Sequence, residues 1–265
     1  MTTPLLEVSH LRFAYSGAGT SAPALDDVSF AVGVGEFVSI VGPSGSGKTT
    51  LLRCAAGLLP ATSGEVRLHG QLVTNVPEEL AIVFQDYGRS LFPWMAVRDN
   101  VEMPLRRLRL SRGDRESRIL SALTEVGLAD AARQFPWQLS GGMQQRVAIA
   151  RAIAYQPSIL LMDEPFASVD AQTRADLQDT TLEVWRAHGS TVMFVTHDID
   201  EAVYLSDRVV VLSRPPTRVL AEISIDLARP RDQIETPSTP RFRDLRHEVA
   251  RLIRRPKADA EEFPV

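Results

Sequence analysis

The chain has 265 residues, 44% of them hydrophobic, and a formal net charge of -4, enough apolar material for one large domain or a domain with a smaller insert. That charge argues against a general nucleic-acid binder, and a single cysteine, Cys54, excludes an internal disulfide. No apolar run reaches the length of about 18 residues that a membrane helix needs, and Met1-Thr2-Thr3-Pro4-Leu5-Leu6-Glu7 carries no charged leader, so a cytoplasmic chain that does not itself span a membrane is expected.

In chain order, the first part is β-rich. Strand signals run from Leu5 to Phe13, Val28 to Val32, Glu36 to Val41, Glu65 to His69 and Ala81 to Phe84. Thr49 to Ala56 has helical character and stops at Gly57; Cys54 falls inside it among Leu51, Leu52, Ala55 and Ala56, as a small core residue. From about Tyr87 to Tyr155 the character turns helical, with six arginines between Arg106 and Arg118 and a helix expected from Arg115 to Ala132. This reads as a helical subdomain, roughly 87–157, inserted into the rest. Strands return at Ser158 to Met162, Thr191 to Thr196 and Arg208 to Leu212 with helices between them, which predicts an α/β core with a parallel sheet.

Past Asp226 the composition shifts to Ala228-Arg229-Pro230-Arg231 and Thr236-Pro237-Ser238-Thr239-Pro240, a connecting loop. A short helix should follow, capped by Thr239 with Pro240 at its first position and with Phe242, Leu245, Val249, Leu252 and Ile253 on one face. Its arginines are read as a solvated face, lipid headgroups being the alternative. The expected division is therefore a main domain over 1–225 and a C-terminal loop and helix over 226–265.

The chemistry gathers around one lysine. Of 29 basic side chains only Lys48 and Lys257 are not arginine, and Lys48 sits where a tight glycine loop accepts a compact ammonium but not a planar guanidinium fork. Gly42-Pro43-Ser44-Gly45-Ser46-Gly47-Lys48-Thr49-Thr50 stands between a predicted strand and a predicted helix. Its main-chain N–H groups and the positive helix end can hold phosphates, Lys48 can reach the outer phosphate oxygens, and the Thr49 hydroxyl can ligate magnesium. An ordinary glycine turn is the competing reading. Downstream, Ile159-Leu160-Leu161-Met162-Asp163-Glu164 is an apolar strand ending in two acids, which suits Asp163 to magnesium and Glu164 to orienting or deprotonating water beside a γ-phosphate. A solvated helix cap would look similar. Leu139-Ser140-Gly141-Gly142-Met143-Gln144-Gln145-Arg146 opens another helix, with Ser140 as cap and two glycines exposing main-chain donors, a second anion site.

LSGGMQQR together with GPSGSGKT and ILLMDE resembles the ATP-binding cassette ATPases, over nearly the whole chain. The resemblance implies a P-loop NTPase fold with a RecA-like parallel sheet core, an N-terminal antiparallel β subdomain and an inserted α-helical subdomain. It implies ATP and Mg2+ as ligands. Position by position, Tyr15 resembles the aromatic that stacks on adenine, a surface or core tyrosine being the alternative. Gln85 resembles the glutamine that senses magnesium and attacking water, and His197 the switch histidine that contacts the γ-phosphate and holds Glu164. Asp170, in Ala167-Ser168-Val169-Asp170, matches the acid of the loop that crosses the dimer interface, though Ser168-Val169 departs from the family's usual pair. In that family two copies pack head to tail, so Ser140, Gly141, Gly142 and Gln144 of one copy face the nucleotide on the other copy's phosphate loop. ATP then closes the dimer and hydrolysis releases it.

Further implied partners are integral-membrane permease subunits and, through them, a solute-binding protein, with the chain peripheral on the inner face of the cell membrane. The stretch from Asp86 to Val101, around Leu91-Phe92-Pro93-Trp94, resembles that of nitrate, sulfonate and taurine importer ATPases. Leu91, Phe92, Trp94 and Met95 fit either a docking groove for a permease helix or the core of the helical subdomain. An exporter ATPase with a separate permease is the alternative function. Other classes find little support: there is no Asn-Lys-x-Asp guanine-reading motif and no Gly-x-Ser-x-Gly, and Gly17-Ala18-Gly19-Thr20-Ser21-Ala22 is a weak dinucleotide match followed by Pro23 rather than a helix.

Overall fold

The computed structural model describes residues 4–15 and 23–254; the Gly17 to Ala22 stretch and Lys257 lie outside them. The described residues fall into two compact units, one built from the chain up to Pro77 and from Met193 onward, the other from Glu78 to Val192.

The first unit opens with β1 (Leu6–Phe13), β2 (Leu25–Val32), β3 (Phe37–Val41), α1 (Lys48–Ala55), β4 (Ser63–Leu68) and β5 (Gln71–Leu72). β1 and β2 alternate buried and exposed positions, the pattern of a sheet covered on one face. β1 pairs antiparallel with β2, Val8 opposite Phe30, and with β4, Val8 opposite Val66, giving the order β2-β1-β4-β5. β3 is buried at every position, as a strand covered on both faces must be. Behind it Cys54 is buried in α1, and that burial pushes its thiol up to about 11.

The second unit contains β6 (Leu80–Val83), α2 (Tyr87–Ser90), α3 (Val97–Glu102), α4 (Arg112–Glu125), α5 (Gly141–Tyr155), β7 (Ile159–Asp163) and α6 (Ala171–His188). β6 and β7 are parallel, with Ala81 opposite Leu160 and Val83 opposite Met162. α4 stops seven residues short of the expected Ala132 because Gly127 takes φ 68, the left-handed turn that ends helices. At its other end Ser111 Oγ accepts from Asp114 N at 3.1 Å, so the helix starts three residues early. The apolar run after α2 is divided: Leu91 is buried, whereas Trp94 is 73% exposed. Fully buried Asn100 holds that loop, accepting from Phe92 N at 2.8 Å and turning its Nδ2 to the carbonyls of Phe92, Met95 and Ala96 at 3.1, 3.0 and 3.2 Å.

The chain then forms β8 (Thr191–Thr196), α7 (Ile199–Leu205), β9 (Arg208–Leu212), β10 (Val219–Ser224), α8 (Glu235–Ser238) and α9 (Pro240–Arg254). In the first unit the larger sheet runs β10-β9-β3-β8, with β9 parallel to β3, Ile40 opposite Val210, and β10 antiparallel at the edge. β10 and α8 are additions to the expected elements. β10 buries only Ile223 of its six residues, so its pattern carries little strand signal. α8 begins where Asp232 Oδ1 accepts from Ile234 N and Glu235 N, both at 2.8 Å, inside a stretch whose prolines read as loop.

α9 starts as expected: Thr239 Oγ1 accepts from Phe242 N at 3.2 Å, and Phe242, Leu245 and Val249 are buried. Leu252 and Ile253 are half-buried. The segment leading to it is latched by two arginines. Arg229 donates to Leu205 O and Asp207 Oδ1, and Arg231 to the carbonyls of Val203, Tyr204 and Ser206, the C-terminal end of α7. Burial, then the neighbouring Arg229, pushes Arg231 down to about 10. Among the described residues no helix is long and apolar enough to cross a membrane.

Candidate functional site

Residues 42–50 form a tight loop between β3 and α1. Ser46 N donates to Pro43 O at 3.1 Å, and the helix begins with Leu51 N donating to Gly47 O at 2.8 Å. Gly47, the residue at the helix cap, sits at φ 73 and ψ 16, a conformation that costs a side-chain-bearing residue about 1 kcal/mol or more. Lys48 is buried to 6% exposure and folds back over the loop, donating to Gly42 O at 3.0 Å and Pro43 O at 3.2 Å. Ser44 and Gly45 are exposed at the tip, Thr49 is half-buried and Thr50 buried. Together the loop presents a lysine and the positive end of a helix, a fitting cradle for a phosphate chain. Tyr15 joins it: its hydroxyl lies 2.7 Å from Thr50 Oγ1, its ring stands edge-on to Phe13 at 4.9 Å, and it remains 59% exposed. An exposed ring tethered to the loop's helix is free to stack on one face.

In the same unit, exposed His197 directly follows β8. Thr196 Oγ1 donates to Glu201 Oε2 at 2.7 Å and accepts from Asp198 N at 3.0 Å, and Asp198 Oδ1 caps α7 by accepting from Asp200 N and Glu201 N at 2.8 and 3.2 Å.

The second unit carries the acids. Asp163 ends β7 almost wholly buried, and half-buried Glu164 follows it at φ 43. A glutamate there holds about 1–3 kcal/mol of backbone strain, which persists only where the surroundings fix the residue. Gln85, after β6, turns its Nε2 toward Glu164 Oε2 at 3.4 Å, the long end of a hydrogen bond. Parallel pairing of β6 and β7 is what brings these two side chains together.

At the start of α5, Ser140 Oγ accepts from Met143 N at 3.3 Å. A β-carbon on Gly142 would stand 2.3 Å from Thr173 Cγ2. Thr173 is in turn held by Asp170, the cap of α6, with Thr173 N donating to Oδ1 at 3.0 Å and Thr173 Oγ1 to Oδ2 at 2.7 Å. The main-chain bond from Thr173 and then its hydroxyl hold the Asp170 carboxyl below its ordinary range. So Gly142 and Asp170, read separately in the sequence, meet through Thr173, a residue the sequence reading passed over. Gln144 turns back on its own segment, giving Nε2 to Pro136 O at 3.0 Å and Leu139 O at 3.3 Å.

For magnesium, the sequence offers the Thr49 hydroxyl, the Asp163 carboxylate and the Gln85 amide oxygen, an all-oxygen set of the kind this ion prefers. Among the described residues no group of three His, Cys, Asp or Glu side chains could hold a metal by itself.

A family described as ABC transporter matches residues 25–167. The nitrate import ATP-binding protein NrtD of Synechocystis sp. is 41% identical over 257 residues, covering 94% of this chain and 95% of that protein. The taurine import ATP-binding protein TauB of Sinorhizobium fredii is 42% identical over 251 residues, 93% of each. Among solved structures, a dimeric post-hydrolysis state of an ATP-binding cassette bound to ADP and Pi superposes with a TM-score of 0.72 at 33% identity, covering 84% of this chain and all of that one.

Proposed function

This chain belongs to the ABC transporter family, as an ATP-binding, ATP-hydrolysing cassette with the P-loop fold, and on that premise we propose that it energises import of a small anion such as nitrate, taurine or an aliphatic sulfonate through separate permease subunits. The observation that carries the substrate class is the identity of 41–42% with relatives named for nitrate and taurine import, over more than nine-tenths of both chains.

In this reading the loop amides and Lys48 bind the β- and γ-phosphates of ATP, and Tyr15 stacks on the adenine. Glu164 orients a water and draws off its proton as the water oxygen bonds to the γ-phosphorus. The bond to the bridging oxygen breaks, leaving ADP and phosphate. Gln85 and His197 hold that water and the γ-phosphate. Thr49, Asp163 and Gln85 would hold Mg2+, which when bound spreads the phosphate charge. Ser140, Gly141, Gly142, Gln144 and Asp170 act on the nucleotide of a second copy, so ATP closes a head-to-tail dimer. Dimeric cassettes among the similar structures support this pairing. The chain would sit against the inner face of the cell membrane, held there by the permease and coupled through it to a solute-binding protein.

The test is to co-purify the chain with its permease and solute-binding protein and measure ATP turnover with nitrate, taurine, alkanesulfonates and neutral solutes. Stimulation several-fold by one of the anions supports the reading. Stimulation by a neutral solute alone, or activity of the complex as an exporter, refutes the substrate class.

A further inference from the structure

The phosphate loop is braced from a distant part of the chain. Thr217, between β9 and β10 and fully buried, donates its hydroxyl to the Ser46 carbonyl at 2.9 Å. Its own backbone is fixed: Asp26 N donates to Thr217 O at 2.8 Å, and Leu25 and Thr217 form a β-bridge. The same segment closes over the loop, since a β-carbon on Gly47 would stand 3.0 Å from Leu25 Cδ2.

This contact falls on one decisive peptide plane. The first main-chain bond of α1 is Leu51 N to Gly47 O, which leaves the Ser46 carbonyl outside the helix ladder. Ser46 and Gly47 share a trans peptide, in which C=O and N–H point in opposite directions. Anchoring the Ser46 oxygen on Thr217 therefore holds the Gly47 N–H pointing away from Thr217, and a loop that holds a phosphate needs its amides fixed so that they converge. Without an anchor the plane can rotate about the flexible glycine at little cost.

We infer that Thr217 is a positioning residue for nucleotide binding, setting the Gly47 amide toward the β-phosphate by holding the Ser46 carbonyl. The inference rests on the reading of residues 42–50 as the phosphate site. Nothing in the local sequence of Thr217 announces this role, because the bond spans 171 positions.

The experiment compares wild type, Thr217→Val, Thr217→Ser and Lys48→Ala. Calorimetry gives ADP and ATP affinity, thermal unfolding without nucleotide gives stability, and the Gly47 amide resonance on adding ADP gives a signature that overall stability does not move. Valine, equal in size but without the hydroxyl, should weaken ADP about tenfold and abolish the Gly47 shift, while serine restores both to within about twofold. Affinity and the Gly47 shift unchanged in Thr217→Val, with only stability lowered, would overturn the inference, as would a Thr217→Ser variant that behaves like valine. Lys48→Ala separates the two claims: wild-type affinity there removes the phosphate-loop reading itself, whereas its loss beside an unaffected Thr217→Val removes only the brace. If Thr217→Val fails to fold, Thr217→Ala takes its place, being smaller and likewise without the hydroxyl, and the same two outcomes decide.

Discussion

Gly142→Ala sets two local effects of opposite sign against each other. The new β-carbon would meet Thr173 Cγ2 at 2.3 Å, where carbon contacts ordinarily rest at about 3.5–4.0 Å, so the methyl must retreat by more than about 1 Å. Thr173 cannot turn freely, because its hydroxyl is bonded to Asp170 Oδ2 at 2.7 Å. Crowding of this kind costs about 1–3 kcal/mol, and giving up the hydroxyl bond adds about 1 kcal/mol. Against this, alanine is favoured over glycine in a helix by about 1 kcal/mol. The clash wins, leaving a net loss of about 1–3 kcal/mol, or about 2–8 °C in Tm for a chain of this size. Because the displacement reaches Asp170, ATP turnover should fall about tenfold or more.

Thr173→Ser supplies the control, since it deletes Cγ2 and keeps the hydroxyl. In the double variant the clash is gone and the helix preference remains, so Tm should return to wild type or slightly above, and turnover should recover. Thermal unfolding and steady-state ATPase assays on the four proteins read this out. A Gly142→Ala protein as stable as wild type, or a double variant no better than the single one, would refute the packing argument.

Glu164→Gln should keep ATP binding but slow hydrolysis about 10²-fold or more, as measured by phosphate release; a near-normal rate would remove Glu164 from its role. Lys48→Arg should be nearly as inactive as Lys48→Ala, because the buried ammonium sits 3.0 and 3.2 Å from two loop carbonyls and a guanidinium fork needs more room; an active Lys48→Arg enzyme contradicts this. Arg231→Ala deprives three carbonyls at the end of α7 of their donor and should cost about 2–4 kcal/mol, lowering Tm by about 4–10 °C, whereas an unchanged Tm would show the latch to be dispensable.

Strand limits were legible where burial is uniform. Thr191–Thr196 and Arg208–Leu212 match the sequence reading to the residue, because continuous β-branched and apolar runs bounded by polar residues leave little choice. Helix ends were less so: the segment beyond Glu125 keeps helical composition, and only the backbone of Gly127 decides that α4 stops. The phosphate loop, the acids at the end of β7 and the cap of α5 could be found because each is contiguous. Thr173 and Thr217 could not. The Thr173 methyl faces Gly142, 31 positions away, and the Thr217 hydroxyl bonds Ser46, 171 positions away, and a single threonine has no periodicity to betray either contact. The apolar run at Leu91 to Met95 supported two readings because hydrophobicity alone does not distinguish a core residue from an exposed one, and the structure assigns Leu91 to the core and Trp94 to the surface.

The central claim is that ATP on one copy is completed by the α5 cap of another. Sedimentation of Glu164→Gln with and without ATP tests it most directly, alongside the same protein carrying Ser140→Arg. The account predicts a single-chain mass without nucleotide, twice that mass with ATP, and a single-chain mass again when Ser140→Arg is added although ATP still binds. A mass that ignores ATP, or an ATP-dependent dimer that survives Ser140→Arg, would contradict it.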